Sequence, residues 1–139
     1  MEKVCIDTDV LIELGRQKLI RRVCREQNIY LTVITMYEYL RGLAYLGRDV
    51  GRAKREIERR FNILYLDNRA LVEASNLYSK LRSRGEAIPD PDLLIAAICI
   101  SHNMQLATNN VEHYEKLKPY GLEIIKPNTV VKYIRMWYK

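Results

Sequence analysis

Four side chains in this 139-residue chain are of types suited to hydrolytic chemistry, and each stands at the same kind of place. Asp7 ends the apolar run Val4-Cys5-Ile6 and opens a helical pattern. Glu38 lies at the start of the helix that follows Ile29-Tyr30-Leu31-Thr32-Val33. Asp92 is in the first turn of an apolar helix introduced by Ile88-Pro89-Asp90-Pro91, and Asn110 follows Leu106-Ala107-Thr108. Taken singly, each reads as a helix-terminus residue, because unpaired N–H groups and the helix dipole favour carboxylates and amides there. Taken together they imply more. In a parallel α/β sheet the helices that follow strands begin at the carboxyl edge, where ligands bind, so residues distant in sequence meet in one crevice. Three carboxylates in a crevice raise one another's pKa unless something positive lies between them. A hard divalent cation, Mg²⁺ or Mn²⁺, takes oxygen ligands, keeps several waters and shares a substrate phosphate. The chemistry implied is phosphodiester hydrolysis, in which the metal activates water and steadies developing negative charge.

Other residues stand near enough in sequence to support the ligands. Thr8 and Thr108 can orient a carboxylate or a water, with helix capping an equal reading, and Asp9, Asp90 and Glu112 are outer candidates. At the central helix, Pro91 suits the first helical position, Asp90 reads as the N-cap, and Asp92 is left as the ligand. His102, at that helix's far end, reads as a dipole partner, and His113 as surface cover. Most of the ten tyrosines read as core or interface, Tyr37, Tyr39 and Tyr45 lying on or near the Glu38 helix.

The elements that must position these groups alternate along the chain. Short strands are expected at residues 3–6, 29–33, 63–66, 105–108 and 122–125. Helices are expected from Val10, over Lys18 to Glu26, from Thr35 with a Thr-x-x-Glu capping box, over Val50 to Phe61, from Asn68 to Arg84, from Pro91 to His102 and over Val111 to Leu117. The tail from Asn128 to Lys139 is apolar enough to dock as a helix or to serve a partner. This pattern predicts an α/β fold: a central, mainly parallel sheet of about four to five strands with helices on both faces. Residues 1–139 read as one domain.

Composition excludes some classes. At 48% hydrophobic and 29% charged, the chain is an ordinary globular sequence. No stretch approaches the roughly 18 apolar residues of a membrane span and the N-terminus has no leader pattern, so a cytoplasmic protein is expected. Cys5, Cys24 and Cys99 lie far apart inside apolar patterns, which argues for buried thiols over disulfides or zinc. The net charge of +6 suits an anionic partner. Between Arg41 and Arg60 stand seven basic residues against three acids, and Arg41, Arg48, Arg52, Lys54 and Arg55 are candidates for tracking a nucleic-acid backbone, a solvated ion-paired helix being the plainer reading.

Four stretches carry a family likeness: Val4 to Ile12, Thr32 to Gly42, Ile88 to Ala97, and Leu106 to Tyr114. In this order and spacing the chain resembles the PIN-domain ribonucleases, and within them the VapC-type toxins of toxin–antitoxin pairs. The resemblance implies a PIN-like α/β/α sandwich and Mg²⁺- or Mn²⁺-dependent endonuclease activity on RNA. It also implies homodimerisation and inhibition by a cognate antitoxin. Asp7, Glu38 and Asp92 match the family's metal-binding acids, and Asn110 stands where the fourth position often carries Asp. An amide is uncharged and a poor base, so this departure bears on metal affinity and rate. A housekeeping RNA-processing nuclease without an antitoxin, and a binding module with a weakened site, are the alternative readings.

Overall fold

The computed structural model describes residues 2–137, so the last two residues of the tail, Tyr138 and Lys139, lie outside the described residues. In chain order the elements are β1 (Val4–Ile6), α1 (Thr8–Arg16), β2 (Ile29–Thr32), α2 (Val33–Tyr45), α3 (Val50–Arg60), β3 (Asn62–Leu64), α4 (Asn68–Ser83), α5 (Asp90–Ser101), β4 (Gln105–Ala107), α6 (Val111–Tyr114), β5 (Glu123–Ile125) and α7 (Pro127–Trp137). The five strands form one sheet in the order β3-β2-β1-β4-β5, with every pairing parallel. The expected fold class is therefore the observed one.

Burial explains why the strands read as continuous apolar runs. A parallel sheet is covered on both faces, so alternate side chains feed two cores. Cys5 and Leu106 point into one, built with α4 and α5; Val4, Ile6 and Ala107 point into the other, built with α1, α2, α3 and α7. Strand β1 is buried along its whole length. The tail docks as expected: α7 buries Val130 and Ile134 in the second core. No helix among the described residues is long and apolar enough to cross a membrane.

Four local expectations are corrected. Residues Lys18 to Glu26 form two separate 3-10 turns, Ile20–Arg22 and Arg25–Gln27, instead of a helix, because Val23 is extended between them and Lys18 has a φ of 58°. Helix α2 starts three residues early: Thr32, not Thr35, is its cap and accepts from the Thr35 N–H at 3.1 Å, so the Thr35–Glu38 box does not form. Glu38 thereby lies in the second turn. At α5 the cap position is Pro89, and Asp90 is the first helical residue with no capping hydrogen bond. The last helix before β5 is one α-turn followed by a 3-10 stretch, Glu115–Tyr120.

One long-range feature determines where Asp92 goes. Helix α5 follows a helix, not a strand, so the strand-to-helix rule does not by itself place its start at the carboxyl edge. The two are antiparallel: His102 at the end of α5 lies 3.2 Å from Asp67, the cap of α4. Helix α5 then leads directly into β4, so its C-terminus is at the amino edge and Asp92 at the carboxyl edge.

Candidate active site

The strand order reverses beside β1, between the β2 and β4 sides of the sheet, and such a switch point opens a crevice at the carboxyl ends. Asp7 is the first residue beyond β1, its N–H held by the Ala107 carbonyl at 2.9 Å. It caps α1: Oδ1 accepts from the Thr8 N–H at 2.8 Å. Thr108 donates its hydroxyl to Oδ2 at 2.7 Å and accepts from the Asn110 N–H at 2.9 Å. Asp7 is only 5% exposed. Burial pushes its carboxyl up from 3.8 to about 6, with the charges of Asp9 and Asp92 acting in the same direction and the Thr108 and Thr8 hydrogen bonds opposing.

Asp92 arrives from α5. His113 Nδ1 lies 2.7 Å from its Oδ2, and the Asn110 side-chain nitrogen lies 3.4 Å from the same oxygen. Tyr114 connects the two acids: its hydroxyl is 3.3 Å from Asp7 Oδ1 and 3.4 Å from Asp92 Oδ1. Burial, then the charges of Asp7 and Asp92, push the Tyr114 phenol far up, so it keeps its proton. One O–H proton serves one carboxylate at a time, and two acids converging on it leave negative charge to be met.

Glu38 joins the cluster through Thr8. The Thr8 hydroxyl donates to Glu38 Oε1 at 2.6 Å and lies 3.2 Å from the Thr35 hydroxyl. The other oxygen of Glu38 is 3.8 Å from the Arg41 guanidinium, which also stacks 5.4 Å from the Tyr37 ring centroid. Asp9 turns Oδ2 to the Asn109 N–H at 3.0 Å, while its buried Oδ1 has no partner among the described residues.

The donor chemistry fits a hard divalent cation: two converging carboxylates, one of them buried, and an unpartnered carboxylate oxygen close by. Among the described residues no three His, Cys, Asp or Glu side chains already form a ligand group. An ion would rest on Asp7 and Asp92, with water and a substrate phosphate completing its shell.

The structure thus brings Asp7, Asp92, Asn110, Thr8 and Thr108 together and links Glu38 to them through one hydroxyl. Asp90 and Glu112 are exposed and hydrogen-bond none of these. Of the basic candidates Arg41 alone reaches the acids. Arg48 and Arg52 line an open cleft of about 730 Å³ with Tyr39, Leu43 and Arg59. Lys54 is paired with Glu58 at 2.8 Å, and Arg55 lies beside Arg25 and Glu58 on another surface. Two participants escaped the sequence reading. His113 is a partner of Asp92 and not surface cover; its spacing of three from Asn110, which puts both on one side of a helical turn, was the available signal. Tyr114 reads as a core aromatic, and nothing in the sequence tells where its hydroxyl points.

Residues 4–118 match the model of the PIN-domain family. The chain is 33% identical over 123 residues to Ribonuclease VapC1 of Methanocaldococcus jannaschii, covering 88% of this chain and 86% of that one. It is 24% identical over 136 residues to a VapC ribonuclease of Pyrococcus furiosus, covering 96% and 91%. Among solved structures, a DNA-bound VapBC from Salmonella typhimurium superposes with a TM-score of 0.72 at 21% identity, over 91% of this chain and 99% of that one. VapBC-1 of nontypeable Haemophilus influenzae gives a TM-score of 0.69 at 23% identity, over 90% and 98%. These two likenesses are likenesses of fold.

Proposed function

The chain belongs to the PIN-domain family, and from that premise we propose that it is a VapC-type ribonuclease. In this reading it hydrolyses RNA phosphodiester bonds endonucleolytically with Mg²⁺ or Mn²⁺, works as a homodimer in the cytoplasm, and is the toxin of a two-protein module restrained by a cognate antitoxin. The observation that carries the reading is the Asp7–Asp92 pair, a buried carboxylate pushed up to about 6 beside a second one on the same hydroxyl. Such a pair makes chemical sense where a cation is to be bound. The curated relatives named VapC ribonucleases support the reaction class, and the VapBC complexes of like fold support an antitoxin partner. Exposed Leu71, Val72 and Tyr78 on α4 supply apolar surface of the kind a second copy covers.

Asp7 and Asp92 would hold the ion, with Glu38 at the outer side of the site, and a bound ion would supply charge neutralisation at the phosphate and acidify a water. The chain's own groups do the positioning. Thr8 and Thr108 hold the two oxygens of Asp7, Thr8 also holds Glu38, and Arg41 offers a guanidinium to the RNA backbone beside the scissile bond. Asp92→Asn tests the reading: Mg²⁺-dependent RNA cleavage and calorimetric Mn²⁺ binding should both disappear while the circular dichroism spectrum is unchanged. Undiminished cleavage overturns it. For the partner, a small protein encoded beside this one should co-purify with it and block cleavage.

A further inference from the structure

We propose that His113, with the Asn110 amide, is a positioning residue for Asp92: the two nitrogens occupy Oδ2 and leave Oδ1 as the oxygen offered to the divalent cation. The inference rests on the metal-dependent reading above and assigns a task to two residues which that reading leaves idle.

The local sequence of α5 makes such a device necessary. Asp92 is the third residue after the cap position, where an acidic side chain ordinarily reaches back to the backbone N–H of the cap residue. The cap residue here is Pro89, which has no N–H, and Pro91 removes another donor from the first turn. Asp92 is therefore deprived of the local hydrogen bonds that would fix its rotamer, and its partners come from across the crevice. A carboxylate only accepts, so His113 Nδ1, at 2.7 Å, carries its hydrogen toward Oδ2, and the Asn110 side-chain nitrogen at 3.4 Å donates to the same atom. The 3.0 Å approach of these two nitrogens is then that of two donors gathered on one acceptor. Asn110 is the cap position of α6 and His113 lies within it, three residues on, in the segment that follows β4. Oδ1 faces the other way, toward Tyr114 and Asp7. On this account the amide at Asn110 is not a weakened ligand. A carboxylate there would face Asp92 Oδ2 with like charge, whereas an amide donates to it.

The test uses the full chain, calorimetric Mn²⁺ titration, steady-state RNA cleavage and thermal denaturation. His113→Ala should weaken Mn²⁺ binding about 10–100-fold and lower kcat with KM for RNA nearly unchanged, while His113→Asn, whose side-chain nitrogen can stand where Nδ1 does, should return to within about threefold of the unaltered protein. Melting temperatures should separate the two variants far less than Mn²⁺ affinity does. Unchanged Mn²⁺ affinity in His113→Ala overturns the proposal, as does a His113→Asn variant no better than His113→Ala, or a rise in KM alone, which would make His113 a substrate contact. If His113→Ala does not fold, Asn110→Ala carries the test and should weaken Mn²⁺ binding in the same direction. An unaltered protein that binds no Mn²⁺ overturns the metal-dependent reading itself, an outcome distinct from all of these.

Discussion

Asp7 and Glu38 stand at two ends of one hydrogen-bonded chain through Thr8, yet their surroundings differ in kind. Around Asp7 and Asp92 the partners are two threonines, a phenol, an amide and an imidazole, and Asp7 is nearly inaccessible. Around Glu38 the counter-charge is already present in Arg41, and the pair is partly open to water. Hydroxyl and amide donors orient a carboxylate while leaving its charge uncompensated, whereas a guanidinium compensates it. The proposed metal site therefore draws on the first half, where donors orient the carboxylates, more than on the second, where Arg41 stands beside Glu38. Each of the following experiments removes a group from one half or from the link between them.

The largest effect is expected at Asp7. Folding raises its pKa from 3.8 to about 6, so between those values the folded chain holds a proton that the unfolded chain has lost. Stability therefore falls as the pH rises through that window, and the penalty is fully present above it. A shift of this size corresponds to about 3 kcal/mol. Asp7→Asn should stabilise the metal-free protein at pH 7 by up to about that amount and hardly at all at pH 4, read from denaturant melts at the two pH values. Cleavage should fall by at least about 100-fold, the order lost when one preorganised electrostatic group is removed. A variant less stable than the unaltered protein at pH 7 would break the contrast between the halves.

The sequence disclosed the parts of this arrangement that depend on chain-local physics. Apolar runs followed by Asp7 and by Thr108-Asn109-Asn110 marked strand ends at an edge, and the alternation of strands with helices gave away a parallel sheet. Two kinds of fact escaped it. One is competition between local caps: Thr32 and Thr35 are both able to cap, and the choice of Thr32, which shifted Glu38 into the second turn, was made by how far β2 pairs with β3. The other is side-chain direction across the crevice. The sequence separates Asp90 from Asp92 as cap and ligand, but it does not show what holds Asp92, since Tyr114 and His113 lie twenty or more positions away. The antiparallel turn of α4 against α5 that carries Asp92 to the correct edge is likewise a tertiary result.

A smaller effect is expected at the link. Thr8→Val keeps the backbone N–H that Asp7 uses and deletes the hydroxyl that holds Glu38. Stability should drop by about 1.5–3 kcal/mol for a lost hydrogen bond to a charged group. Cleavage should drop about 10-fold, as for other groups that orient a site from behind. Calorimetric Mn²⁺ affinity should stay close to that of the unaltered protein. If Mn²⁺ affinity falls as far as cleavage does, Glu38 belongs to the ion's own shell and the two halves are one.

The smallest effect is expected at Arg41, and it distinguishes two uses of the same charge. Arg41 pairs with Glu38 at 3.8 Å and has 59% of its side chain exposed, so screening leaves the pair within about 0.5 kcal/mol of no contribution to stability. Arg41→Ala should therefore melt like the unaltered protein and bind Mn²⁺ as well. Its RNA binding is where a difference is expected. A guanidinium that contacts one phosphate of a single strand releases its counterions, so its removal should flatten the slope of log affinity against log salt by about 0.7. Cleavage should fall severalfold at low salt and converge with that of the unaltered protein at high salt. An unchanged slope would mean that Arg41 serves Glu38 and not the RNA, and the electropositive contact would then have to be sought at the start of α3, where Arg52 and the preceding Arg48 line their own cleft.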